Sequence, residues 1–143
     1  VILPDVNLLI HAINRNSPFH ERARGWWNGA GSAGEVALGW PALVGFLRLS
    51  TNRRVLVNPL PVEKATEIVD TWLSGPDVRI VTPTAAHWGI LARLLRITQT
   101  GRNLATDAHL AAYAIEHGCT LCSNDADFGR FPGLRWRNPL LKS

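Results

Sequence analysis

Four aspartates stand where a chain does chemistry. Asp5 directly follows a short apolar run, Val1-Ile2-Leu3, and Asp125 follows a second one, Thr120 to Ser123. In open parallel sheets, ligands bind beyond the carboxyl ends of the strands, so these two acids are expected on one rim although they are far apart in sequence. Asp107 lies in a stretch with helical spacing, Leu104 to His117, on an apolar face with Leu104, Ala108, Ala111 and Ala114. A carboxylate on such a face is costly unless it is paired or binds a metal. Asp127, two residues past Asp125, offers a further oxygen. Plainer readings exist for each. Asp5 and Asp125 suit turn caps, Asp107 suits the positive end of a helix, and Asp127 suits a solvated turn. Taken together, three or four carboxylates on one rim suit a hard divalent cation, Mg2+ with Mn2+ as substitute. His11, His20, His87, His109 and His117 are scattered, with no pair at i, i+4, and read as surface or packing residues. A magnesium-centred site in a basic protein points to phosphodiester chemistry.

The elements that must position these acids alternate strand-like and helix-like runs. The pattern predicts an α/β fold with a central, mostly parallel sheet flanked by helices. Strands are expected at 1–3, 35–38, 78–81 and 120–123, with a short edge strand at 134–136. Helices are expected from about Asn7, from Ser17-Pro18 to near Gly29, over 41–49, over 62–73, from Thr82-Pro83, and over 104–117. Gly118 is expected to stop the last of these. Trp40, Trp72 and Trp88 fit core positions. Trp26-Trp27 splits between two directions about 100° apart, one inward and one outward.

The chain has 143 residues, 46% of them hydrophobic and 18% charged, with no internal repeat or linker-like tract. It reads as one domain over 1–143, long enough to bury a core. No apolar run is long enough to span a bilayer and no signal-peptide core is evident, which predicts a cytoplasmic protein. The net charge of +4 comes almost wholly from arginine and suits an anionic partner such as RNA, although composition alone also fits a GC-rich genome. Arg48 and Arg102 are candidate phosphate contacts near the rim. Cys119 and Cys122 form a lone CxxC without the second pair a structural zinc site needs, and read as buried structural residues on opposite faces of a strand.

The order of motifs resembles a known family. Asp5-Val6-Asn7-Leu8-Leu9 is similar to the opening motif of PIN domains. Asp107-Ala108-His109-Leu110-Ala111 is similar to their third acidic motif, and Ser123-Asn124-Asp125-Ala126-Asp127-Phe128 to the fourth. The tail Phe131 to Leu140 and the segment Gly45 to Asn52 resemble VapC toxins. The resemblance implies a PIN-like three-layer sandwich and an Mg2+-dependent endoribonuclease. Such an enzyme is the toxin of a toxin–antitoxin pair, cuts structured RNA such as tRNA or rRNA, and inhibits translation. It also implies a homodimer and a cognate VapB-like antitoxin. Carried over by position, Asp5, Asp107 and Asp125 match the metal-site acids, Asp127 an accessory acid, and Asn7 and Ser123 the polar residues that orient them. Trp26-Trp27 is a candidate edge of an antitoxin groove. One position departs from the family: Gly45 stands where PIN domains carry a second acid. A weakened PIN-like module that only binds RNA or antitoxin is therefore the alternative. A HAD-like phosphatase fits less well, because Asn7 stands where its general-acid Asp belongs. A receiver domain would need a strand-end Lys that this chain lacks.

Overall fold

The computed structural model describes residues 1–99 and 103–141, with the side chains of residues 31–33 and 103 left aside. In chain order the elements are β1 (Ile2–Pro4), α1 (Val6–Ile13), α2 (His20–Ala33), β2 (Val36–Gly39), α3 (Trp40–Ser50), α4 (Val62–Leu73), β3 (Val78–Val81), α5 (His87–Thr98), α6 (Asn103–His117), β4 (Thr120–Cys122) and β5 (Trp136–Arg137). A 3-10 helix, Ala126–Arg130, lies between β4 and β5. The strands form one all-parallel sheet in the order β3-β2-β1-β4-β5.

Strand side chains alternate between faces, and this period of two sorts the core. Leu3, Ala37, Val81 and Leu121 point to one face and pack with Leu94 of α5 and Ala108, Ala111 and Tyr113 of α6. Ile2, Val36 and Leu38 point to the other and meet Leu43, Trp27 and Trp72 of α3, α2 and α4. The result is the expected three-layer α/β sandwich. Cys119 packs on the first face and Cys122 on the second, both buried and free, as their spacing predicts. An aromatic seam ties the second layer together, with ring centroids 4.5 Å apart for Phe46–Trp72 and 5.5 Å for Trp27–Trp72.

Several expectations need correction. α2 starts at His20 and α5 at His87, later than Ser17-Pro18 and Thr82-Pro83 suggest. In both places a hydroxyl accepts from the amide two residues on, Ser17 Oγ from Phe19 at 3.0 Å and Thr84 Oγ1 from Ala86 at 3.1 Å. These local turns compete with the helix and delay it. α2 also runs past Gly29 to Ala33, stopping where Gly34 takes φ 151°. Gly118, at φ 66°, does end α6. Trp40 and Trp88 are not core residues: they are 48% and 70% exposed. His87 occupies the inward position on α5, which turns its neighbour Trp88 outward. α3 buries Ala42, Leu43, Gly45 and Phe46, which leaves Trp40 and Val44 on the far side. Neither Trp26 nor Trp27 is exposed. Both are half-buried, in different clusters.

The histidines are less scattered than the sequence suggests. His87 Nδ1 meets Glu116 Oε1 at 2.9 Å and His87 Nε2 meets His109 Nδ1 at 2.8 Å. Glu116, only 2% exposed, also accepts from the Thr84 hydroxyl at 2.9 Å. This chain of polar contacts fastens α5 to α6, the helix that carries Asp107. His109 and Glu116, with Tyr113 whose ring lies against both His87 and His109, recur at i, i+4 and i+7, a spacing that marks one face of α6. Among the described residues no helix is long and apolar enough to cross a membrane.

Candidate metal centre

The rim is assembled by strand register. Pro4 of β1 pairs with Cys122 of β4, so the residues that follow, Asp5 and Ser123, leave the sheet side by side. The Asp5 amide donates to the Cys122 carbonyl at 2.8 Å and prolongs the ladder by one step. Asp5 then caps α1, its Oδ1 accepting from the Val6 amide at 2.7 Å. Its other oxygen accepts from the Ser123 hydroxyl at 2.8 Å. Ser123 is fully buried and serves as a hub. Its oxygen also accepts from Asn7 Nδ2 at 3.1 Å and from the Asp125 amide at 3.0 Å. Asn7 Oδ1 accepts from the Asn124 amide at 3.4 Å.

Asp125 caps the 3-10 helix, its Oδ1 accepting from the Asp127 amide at 2.9 Å. Asp107, half-buried one turn into α6, faces this loop. One carboxylate oxygen each from Asp107, Asp125 and Asp127 lies within 4.8 Å of the others. Asp5 is not in that tight trio, but its charge and those of Asp125 and Asp127 act on Asp107. Desolvation, and then the repulsion of Asp125, Asp5 and Asp127, pushes the Asp107 carboxyl up to about 6. Asp5 is raised as well, first by burial. The Ser123 and Val6 hydrogen bonds oppose this, and the Asp125 charge adds to it.

The cap reading holds for both: Asp5 and Asp125 each spend one oxygen on a backbone amide, and Asp5 spends its other on the Ser123 hydroxyl. The donor set fits a hard divalent cation. All donors are carboxylate oxygens, and two ligands of one Mg2+ stand at most about 4.2 Å apart, close to the observed spread. The raised acids carry mutual repulsion that a cation would relieve.

Gly45 has a packing reason. A Cβ there would sit 3.3 Å from Val6 Cγ2, so the glycine lets α3 lie tightly on α1 beside the first acid. Arg48 is exposed on α3 with its guanidinium in no ion pair among the described residues. Arg102 lies outside the described residues. Asp127 has a weak exposed partner, Arg130 at 3.7 Å. Two supports, one from β5 and one just after it, were not apparent in the sequence. Trp136 Nε1 donates to the Ser123 carbonyl at 3.1 Å, and Asn138 Nδ2 to Asn124 Oδ1 at 3.0 Å. The near-invariable demand of a buried indole N–H for an acceptor was the one available signal.

Residues 2–134 match the PIN domain family. The chain is 45% identical over 136 residues to Ribonuclease VapC37 of Mycobacterium tuberculosis, covering 94% of each. Among solved structures it is similar to VapBC2 from Rickettsia felis bound to a promoter DNA fragment, with a TM-score of 0.70 at 18% identity over 96% of this chain and 97% of that one. It is also similar to Mycobacterium tuberculosis VapC20, described as a sarcin–ricin loop cleaving toxin, with a TM-score of 0.67 at 21% identity over 94% and 99%. An all-parallel sheet with acids gathered at its carboxyl rim, a family match over nearly the whole length and this degree of identity lead to one assignment: the chain belongs to the PIN-domain family, among the VapC ribonucleases of toxin–antitoxin systems.

Proposed function

We propose that this chain, as a single domain over 1–143, is a divalent-metal-dependent endoribonuclease toxin. On this reading it uses Mg2+ or Mn2+, cuts structured RNA of the tRNA or rRNA kind in the cytoplasm and inhibits translation. The observation that carries it is the trio of carboxylate oxygens from Asp107, Asp125 and Asp127 within 4.8 Å, with Asp5 held beside them by Ser123. Asp107, Asp125 and Asp5 hold the cation, with Asp127 closing the set. Asn7 and Ser123 keep the acids in register, and Arg48 and Arg102 steady substrate phosphates. When bound, the cation polarises the phosphoryl oxygen and lowers the pKa of an attacking water. The sarcin–ricin loop named for VapC20 supports a structured substrate. Mapping of RNA ends should show discrete cuts with Mg2+, none in EDTA and none with Asp5→Asn. Gly45 keeps a second reading open, a quiet module that binds RNA or antitoxin, and cuts that persist in Asp5→Asn or never appear would favour it.

Two partners belong to the same proposal. A VapB-like antitoxin is supported by the VapBC complexes the fold resembles. An apolar hollow of about 320 Å3 beside Trp26, floored by Gly25, Gly29 and Ala30, is its candidate seat. A second copy of the chain would cover the exposed Trp40 and Val44, one turn apart on α3. The Val44 side chain is exposed, so Val44→Glu should fold normally yet shift the protein from dimer to monomer in light scattering. An unchanged mass would rule this face out.

A further inference from the structure

α1 joins two different surfaces. Asp5 caps its first turn at the acidic rim, and Asn14 ends it, about 12 Å of helix away at 1.5 Å per residue. At that far end lie two adjoining hollows of about 260 and 330 Å3, which share Ile13, Arg15 and Leu60. Arg15 and Arg24 rim the groove, the buried His20 lines it, and Asn14, Asn16 and Asn58 add side-chain amides. Among the described residues no Asp or Glu lines either hollow. Arg15 and Arg24 are exposed, and among the described residues neither is in an ion pair. Their charge is thus uncompensated by any acid in the described lining of the groove, which suits it to an anion.

We infer that this groove is an exosite for the phosphodiester backbone of a structured RNA, gripped at one end of α1 while the acids act at the other. This inference rests on the ribonuclease reading for its substrate. The chemistry of the rim favours RNA. Guanidinium groups bind phosphate in a fork, and amides can donate to phosphate or ribose oxygens and accept from 2′-hydroxyls. The C-terminal carbonyls of α1 oppose an anion, and the N-terminal turn of α2, which starts at His20, offsets them. Six polar side chains stand beside the apolar lining of Ala12, Ile13, Leu56, Leu60 and Ile68, so polar groups are available along the whole groove. An acidic peptide of a partner is the competing occupant.

The test is anisotropy with a fluorescein-labelled tRNA and the full chain in EDTA, where no cleavage is needed. Arg15→Glu/Arg24→Glu is compared with Arg93→Glu/Arg96→Glu, which makes the same charge change on α5. The groove variant should bind on the order of tenfold more weakly, and its log–log salt slope should fall by about two, one per lost phosphate contact. With Mg2+, its KM for tRNA should rise about tenfold with kcat kept. Equal weakening by both variants, no binding by the native chain, or tighter capture of a glutamate-rich peptide than of tRNA at the same salt would each overturn the inference. Loss of binding in the groove variant from a protein that never cuts RNA would uphold the groove while removing the nuclease reading. Normal cutting and binding by the groove variant would do the opposite.

Discussion

Asp107→Asn should make the metal-free protein more stable while removing its activity. At neutral pH Asp107 is ionised among three other acids, with its carboxyl raised from 3.8 to about 6. Between those values the folded chain binds more protons at this site than the unfolded chain does. Stability therefore falls as pH rises through the window, and the whole penalty is present above about 6. The gap sets a ceiling of about 3 kcal/mol. Partial exposure screens it, and sharing among four acids reduces it, to about 1–2 kcal/mol. Asparagine escapes that cost, so in EDTA at pH 7.5 the variant should melt about 3–6 °C higher than the native chain. The difference should shrink toward pH 4, where the native acid is protonated. Added Mg2+ should reverse the order by stabilising only the native chain. RNA cleavage should drop by about 10²-fold or more, since a bound cation supplies several kcal/mol to the transition state. At limiting Mg2+, native cleavage should weaken as pH falls below about 6, because the ligand must be deprotonated. A variant that melts no higher in EDTA, or keeps native cleavage, would remove Asp107 from the site.

That antagonism between stability and function was partly legible in the sequence. A lone carboxylate on the alanine-rich face of 104–117 already broke the rule that apolar faces stay uncharged, and α6 does place it among acids. Asp5 and Asp125 were legible because strand ends in a parallel sheet have a fixed geometry. β3 and α4 were legible because their periodicity and their Gly and Pro boundaries agree. What the sequence concealed depends on long-range pairing. Trp136 and Asn138 reach the acid loop only because β5 pairs with β4. His87 reaches His109 and Glu116 only because α5 packs on α6. Trp88 has a hydrophobicity that demands burial, yet its one-residue offset from His87 turns it to solvent. Gly45 was legible as a departure but not as a reason: its role is the 3.3 Å approach to Val6, which no local pattern encodes.

That approach accompanies the absence of a second helix-borne acid from the described rim. With α3 pressed against Val6, the acids on the described rim come from the N-cap of α1, from α6 and from the β4–β5 loop. The loop contributes two, and its shape depends on Ser123. The centre is thus weighted toward one segment, 123–127, whose conformation the hydroxyl of a single buried residue governs.

Ser123→Ala should therefore act far beyond the loss of one hydroxyl. The side chain is fully buried, donates to Asp5 Oδ2, and accepts from Asn7 Nδ2 and the Asp125 amide. Alanine leaves those donors without their acceptor and Asp5 Oδ2 without its donor, at a cost of about 1–3 kcal/mol in stability. The hydroxyl bond favours ionised Asp5 and opposes the effect of burial. Without it the Asp5 carboxyl rises further, so more alkaline solution is needed to ionise it. Mg2+ affinity should fall about 10–100-fold, as expected for a residue that orients metal-bound carboxylates. The rising limb of the cleavage–pH profile should move to higher pH, a shift that a merely loosened fold would not produce. Ser123→Thr, which keeps the hydroxyl, should hold the limb near its native position even if the added methyl lowers the melting temperature. An alanine variant with the native pH profile and native Mg2+ affinity would show that Ser123 supports the fold and not the acids.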